Sequence, residues 1–298
     1  MTRFGQVTGA RWLASLLKPA SWVGVLLVWA LAAQAETVRV ASFNIHYTTP
    51  NQDDIVWDER RDAVRQAIGE MQADIIAFQE METFVGGHFN TENIQLDWVL
   101  QHYPEYSVGA YGDPARFPIT QPIIFRTDRF VLRDQGWFFY SETPDEIYSR
   151  TFNDSYPAFT TWVDLEHRDS GKRLVVVNNH FDYGSGRNRR LSARLVAERI
   201  DPWLDAGVPT VVLGDFNAPS FWSPMGFLKK QGLDLLRPAG STFHFNRGWN
   251  LIPAIDHIMI NTALTPVDRI QRFDDDYQGI YPSDHYPVLV ELSWAGKP

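Results

Sequence analysis

The segment Pro209–Ser220, PTVVLGDFNAPS, constrains the fold more than any other part of the chain. Thr210–Leu213 is β-branched or apolar and reads as a buried strand, which gives way at Gly214 to Asp215 and Asn217. Residues two apart on extended backbone point the same way. A carboxylate and an amide at the mouth of an apolar strand are costly to bury without partners. The rest of the chain should therefore bring groups to Asp215 and Asn217.

Other runs break off in the same manner. Thr37–Phe43 (TVRVASF) alternates as a half-buried strand and ends at Asn44. A helix follows, with Val64, Ile68 and Met71 at i, i+4 and i+7, and a second strand, Asp74–Gln79, ends at Glu80. Asn93–Tyr103 reads as helix, and Tyr106–Ala110, QPIIFR, Phe130–Tyr140 and Thr160–His167 as strands. The turn-rich Ser141–Ala158 between the last two reads as a long surface loop. Val175–Asn179 ends on His180 and is followed by a helix whose apolar face carries Ala193, Val196, Ala197, Ile200 and Leu204. Met225–Leu235 reads as a short helix. Ile255–Ile260 is a strand interrupted by Asp256 and His257, and Ser283-Asp284-His285 precedes the final strand, Val288–Leu292. With no repeat and no internal linker, one α/β domain over 36–298 is expected.

Residues 1–35 read differently. Arg3, Arg11 and Lys18 precede the uncharged run Trp22–Ala33, and Ala33-Gln34-Ala35 has the small-x-small form of a cleavage site. The run is shorter than the ~20 residues that span a bilayer. A signal peptide over 1–35 is expected, with export to the periplasm or the outside. Its removal takes three basic residues and no acidic ones from a net charge of −9, leaving −12. That charge argues against a broad grip on nucleic-acid backbone through Lys and Arg, but not against phosphate bound through a metal ion. The chain has no cysteine, which excludes disulfides, thiolate catalysis and zinc–thiolate sites.

Carboxylates, carboxamides and imidazoles gathered at strand ends suit hydrolysis of a phosphate ester. Open α/β architectures bind ligands at the carboxyl ends of strands. Hard oxygen donors such as Glu80, Asp284 and the Asn44 amide fit Mg²⁺ or Mn²⁺. Asp215 could orient or deprotonate water, and an imidazole could steady the transition-state oxygens or act as general acid. A zinc site from His180, His257 and His285 is the competing arrangement, but these histidines lack close ligand spacing.

The blocks ASFNIH, AFQE, VVNNH, GDFN, AIDHIMI and SDHYPV, in this order, resemble the endonuclease/exonuclease/phosphatase superfamily. It includes pancreatic-type deoxyribonucleases, abasic-site endonucleases, bacterial sphingomyelinases and inositol polyphosphate 5-phosphatases. The resemblance implies a four-layer α/β/β/α sandwich of two packed mixed sheets and Mg²⁺-dependent hydrolysis by in-line attack of water. It implies metal-site roles for Asn44 and Glu80, phosphate contact for His180, and water activation and placement for Asp215 and Asn217. Asp284 resembles the second metal or base carboxylate, and His285 the terminal catalytic histidine, oriented by Asp256. His257 should face the other way and be structural. One departure stands out: YPAFTTW lacks an arginine that many members carry before this strand, and Arg116, Arg150 and Arg190 are the candidate substitutes.

The expected function is an exported, metal-dependent phosphodiesterase of the nuclease type, working as a monomer without an obligate protein partner. Nucleic acid is favoured as substrate over a lipid or a small molecule. A phospholipase C or sphingomyelinase-like phosphodiesterase is the alternative, and an inactive binding protein on the same scaffold a third. Aromatic-rich GWFFY (Gly136–Tyr140) reads as core. FWSPMGF (Phe221–Phe227), directly after Asn217, reads as the start of a helix near the site.

Overall fold

A computed structural model describes residues 36–48, 57–81, 92–152 and 156–295. The expected signal peptide lies outside the described residues. Among them, no helix is long and apolar enough to cross a membrane.

Two mixed sheets stack face to face. The first contains β1 (Thr37–Asn44), β2 (Ile75–Gln79), β3 (Tyr106–Gly109), β4 (Ile123–Arg126), β11 (Leu264–Pro266), β12 (Gln271–Arg272) and β13 (Val288–Trp294). Its order is β11-β13-β1-β2-β4-β3, with β12 also on β13. The second runs β5-β6-β7-β8-β10-β9, from β5 (Phe130–Phe139), β6 (Phe159–His167), β7 (Arg173–His180), β8 (Thr210–Asp215), β9 (Asp234–Leu236) and β10 (Asp256–Ile260). Helices α1 (Trp57–Met71) and α2 (Ile94–His102) cover the first sheet, and α3 (Gly186–Asp205) and α4 (Ser223–Lys230) the second. This is the four-layer α/β/β/α sandwich.

The apolar runs explain the layering. On β1, Val38 and Val40 face the inter-sheet core while Ala41 and Phe43 face the helices. On β7, Leu174 and Val176 face inward, and Val175 and Val177 outward. Strands buried on both faces read as continuous apolar sequence rather than strict alternation. Helix α1 buries Trp57, Ala63, Val64, Ala67, Ile68 and Met71, a 3–4 spacing that makes one face. The GWFFY stretch closes β5: Phe138, Phe139 and the following Tyr140 are buried in the core, whereas Gly136 and Trp137 are half-buried.

Two local expectations need correction. The helix read over Met225–Leu235 stops at Lys230, because the chain turns at Gly232 (φ +82°) and Asp234–Leu236 pairs with β10. Ser141–Ala158 forms no helix or strand among its described residues, yet it is not purely surface. Tyr148 packs on the buried Phe139 ring, with centroids 5.6 Å apart.

Topology brings the polar strand ends to one edge. The parallel pair β1–β2 sets Asn44 beside Gln79, and the parallel pair β7–β8 sets His180 beside Asp215. Antiparallel β10 enters where β8 leaves, so Asp256, its first residue, pairs with Asp215. Gly214, one residue earlier, has φ +133°, and a Cβ there would lie 1.9 Å from the Asn179 carbonyl oxygen. Only glycine allows β8 to approach β7 so closely at this edge.

Candidate active site

Asn44 joins the two sheets at the site. Its amide nitrogen donates to Glu80 Oε1 at 3.1 Å, at the end of its own sheet, and to Asp215 Oδ2 at 3.1 Å, across the sandwich. A second bridge lies one layer deeper, where Gln79 Nε2 donates to Asn178 Oδ1 at 2.7 Å. Asn44 and Asp215 are each only 1% exposed. Buried polar groups need partners, and these supply them to one another.

Asn217 reaches Asp215 by a turn rather than by strand periodicity. Its φ is +45°, its backbone N–H donates to Asp215 Oδ1 at 2.8 Å, and its side-chain nitrogen donates to the Phe181 carbonyl at 2.9 Å. Short Asx-type hydrogen bonds favour such turns. Left-handed backbone also occurs at Glu80 (φ +55°) and His46 (φ +62°), so three strand exits turn sharply into the same cleft. Non-glycine residues rarely adopt this conformation, and such strain gathers at functional sites.

The histidines complete the constellation. His285 Nδ1 lies 2.9 Å from Asp256 Oδ2, and its Nε2 lies 3.8 Å from Asp215 Oδ2. His180 Nε2 is 3.5 Å from Glu80 Oε1 and 3.8 Å from Asp215 Oδ2. Asp284 lies on the cleft wall, 3.8 Å from His46 Nε2. All eight expected residues therefore gather at this edge. His257, by contrast, is buried with Nε2 on the Ala218 carbonyl at 3.0 Å and does not line the cleft.

Burial sets the charge states. Desolvation, reinforced by the Asp256 charge, pushes the Asp215 carboxyl up to about 6 against the pull of His285 and His180. Burial alone would lower the His285 pKa, but the charges of Asp256 and Asp215 and the hydrogen bond to Asp256 raise it well above its ordinary value. At Glu80, burial is outweighed by His180, His46, His285 and the Asn44 hydrogen bond, which hold the carboxyl below its usual range. A carboxyl poised near 6 beside a cationic imidazole is an arrangement suited to acid–base work.

The cleft encloses about 590 Å³, and its lining includes the rings of Tyr47, Tyr183, Trp222 and Phe243. Among the described residues no lysine or arginine lines it, so none of Arg116, Arg150 or Arg190 replaces the missing arginine there. The donors fit a divalent cation. Glu80, His180 and Asp215 offer one atom each, all within 4.8 Å of one another, as do Asp215, Asp256 and His285. These carboxylate and imidazole atoms are of the kind that ligate divalent ions.

Some groups at the site carry no clear mark in the sequence. Ser283 Oγ donates to the Asn44 carbonyl at 2.7 Å and accepts from the His285 N–H at 3.2 Å, which ties the final loop to β1. Arg60, buried on α1, donates to the carbonyls of Ile45 (2.6 Å), His46 (2.7 Å) and Pro282 (2.9 Å). Arg189 Nη1 donates to the Asp182 and Tyr183 carbonyls, each at 2.7 Å. An arginine on the face of a helix that is otherwise apolar was the available signal for Arg60. FWSPMGF divides: Met225, on α4, is buried, whereas Phe221 is 73% exposed and Trp222, which lines the cleft, 43%.

The sequence profile of the Endonuclease/Exonuclease/phosphatase family matches residues 41–285. Among curated proteins, the chain is similar to the CCR4-Not complex 3'-5'-exoribonuclease subunit Ccr4 of Schizosaccharomyces pombe. The identity is 24% over 157 residues, which is 49% of this chain and 22% of that protein. It is also similar to protein L388 of Acanthamoeba polyphaga mimivirus, 27% identical over 165 residues, 54% of this chain and 59% of the other. The chain thus spans about a fifth to three-fifths of the length of these relatives. Among solved structures, a family protein from Bacteroides thetaiotaomicron aligns with a TM-score of 0.75 and 25% identity, over 89% of this chain and all of the other. A mannosyl-6-phosphatase from the same species aligns at 0.74 and 26%, over 86% of this chain and all of the other.

Proposed function

The chain belongs to the endonuclease/exonuclease/phosphatase family, and from that membership we propose that it is an exported, Mg²⁺-dependent phosphodiesterase of the nuclease type. The observation that carries the reading is the convergence of Asn44, Glu80, His180, Asp215, Asn217, Asp284 and His285 on one cleft, with Asp256 behind His285.

The roles rest on the family pattern, and the hydrogen bonding at the cleft supports them. Glu80 and Asp284 would supply anionic ligands for the ion, and Asn44 holds Glu80 beside Asp215. A divalent ion held there would neutralise phosphoryl charge and stabilise the departing alkoxide. Asp215, ionised above about pH 6 and oriented by the Asn217 N–H, takes a proton from the attacking water. Asn217 places that water. His180 and His285 carry their Nε2 atoms beside Glu80 and Asp215 at the cleft, within reach of phosphoryl oxygens that their ring N–H groups would bind. Asp256 keeps His285 cationic and correctly turned.

Without Lys or Arg in the lining, the substrate is held by metal and stacking rather than by a cationic track. Tyr183, 81% exposed, and Trp222 stand at the rim as platforms for nucleobases. Nucleotides and single-stranded pieces therefore suit the cleft better than long duplex. One observation favours a second reading, a lipid phosphodiesterase: Phe221, Phe245, Trp249 and Leu251 are exposed on the loops that supply Trp222 and Phe243 to the cleft.

A substrate panel with Mg²⁺ tests the reading, with plasmid DNA, single-stranded DNA, RNA, sphingomyelin, sugar phosphates and p-nitrophenyl phosphodiesters. Wild type and Asp215→Ala are run side by side. Turnover of the phosphodiesters, abolished by Asp215→Ala, is expected. Turnover of sphingomyelin alone would select the second reading, and of sugar phosphates alone a phosphatase. Export rests on the character of residues 1–35, and retention of the full-length, uncleaved chain inside the cell would refute it.

A further inference from the structure

Among the described residues, His46 is the imidazole lining the cleft to which the roles above assign nothing. It lies two residues after Asn44 at the exit of β1, and its backbone is held on several sides. The backbone N–H donates to Asn44 Oδ1 at 3.1 Å, and the carbonyl accepts from Arg60 at 2.7 Å and from Gln95 Nε2 at 2.9 Å. These contacts hold the left-handed φ of +62°. The ring stacks on Tyr47, with centroids 4.6 Å apart and planes 18° from parallel.

Its hydrogen bonding determines which nitrogen faces the cleft with a lone pair. Nδ1 lies 2.9 Å from the Tyr47 carbonyl oxygen, which can only accept, so Nδ1 carries the proton of the neutral ring. Nε2 then keeps its lone pair and faces Asp284 Oδ2 at 3.8 Å. A ring N–H anchored on a backbone carbonyl, with the other nitrogen free, is the usual state of a metal-ligating histidine. Two lone-pair atoms in that position repel each other unless something between them, a cation or a water donating to both, offsets the repulsion. The separation is beyond hydrogen-bond reach but within the ~4.2 Å that two donors can span around one ion at about 2.1 Å each.

We propose that His46 is a metal ligand which, together with Asp284, tips this site toward a transition-series divalent ion such as Mn²⁺ over Mg²⁺. Mg²⁺ prefers an all-oxygen shell, whereas imidazole nitrogen strengthens binding of the first-row divalent metals. The inference rests on the reading of the cleft as a metal-dependent phosphoesterase site.

Calorimetric titration of the protein with MnCl₂ and with MgCl₂ tests it, without substrate, on wild type, His46→Asn and Glu80→Ala. Asparagine tolerates left-handed backbone, so His46→Asn removes the imidazole while keeping the turn. Thermal melts of each variant check the fold, with His46→Gly as a second variant that accepts the same φ. Loss of the imidazole should weaken Mn²⁺ binding by about tenfold or more while Mg²⁺ binding changes little. Unchanged Mn²⁺ affinity in both His46 variants would overturn the inference, as would an equal loss for both ions, which marks a positioning role. The Glu80→Ala arm separates the two claims. If it binds both ions as wild type does, the metal-site reading itself fails; if it loses both while the His46 variants lose neither, only the His46 assignment fails.

Discussion

Asn44 and Asp215 are 171 residues apart and belong to different sheets, yet the Asn44 amide donates to the Asp215 carboxylate at 3.1 Å. That one bond joins the two halves of the sandwich at the point where the chemistry is proposed to occur. Neither partner can shift without leaving a buried polar group unpaired, so the packing of the sheets and the geometry of the site are one constraint.

The acid side of the pH profile should belong to Asp215. Its folded pKa of about 6 lies above the unfolded value, so the base form appears only as pH rises through 6. Activity should climb through that region, measured as kcat/KM against pH, and Asp215→Asn should remove the limb and about 10³-fold of the rate. The same shift makes the metal-free protein lose stability as pH rises from the unfolded pKa through 6. Metal-free Asp215→Asn should consequently melt higher than wild type at pH 7.5.

Asp256 should control the alkaline side through His285. A histidine pKa raised by folding gives stability that is complete below the unfolded value and lost as pH rises through the folded one. Asp256→Asn removes the leading charge that raises it. The alkaline limb of kcat/KM should move to lower pH in this variant, and the difference in melting temperature from wild type should shrink as pH rises.

Arg60 should matter for stability more than its distance from the substrate suggests. Its guanidinium satisfies carbonyls of both the β1 exit and the loop before Ser283. Arg60→Ala strands these buried acceptors and should destabilise by about 3 kcal/mol, measured by urea unfolding. Arg60→Lys should recover only part of this, since one ammonium cannot copy the fork.

Trp222 should act on binding rather than turnover. Its ring borders the cleft with the Arg189 guanidinium 5.4 Å from the ring centre. Trp222→Ala should raise KM for a nucleotide substrate about tenfold with kcat little changed.

Much of this site was legible because apolar strands end abruptly. Asn44, Glu80, His180 and Asp215 each follow a run that can only be a buried strand, and polar groups there demand company. The layers were legible for the same reason, since Val175–Asn179 and Thr210–Leu213 have no polar face to give to water. What escaped depends on turns and long-range pairing. The short edge strands β9, β11 and β12 are defined by their partners rather than by propensity. Asn217 reaches Asp215 through a left-handed turn, and Ser283 acts through a bond to a residue 239 positions away. His46 carries no mark of its role in the sequence, because only the fold brings its ring to Asp284.

The most direct test is hydrolysis of bis-p-nitrophenyl phosphate by the purified protein with Mg²⁺, with EDTA, and with Asp215→Ala. Release of p-nitrophenol that needs the metal, returns when Mg²⁺ is restored after chelation and disappears in Asp215→Ala is the predicted result. Release that persists in EDTA or survives Asp215→Ala would contradict a metal-dependent attack by water activated at Asp215.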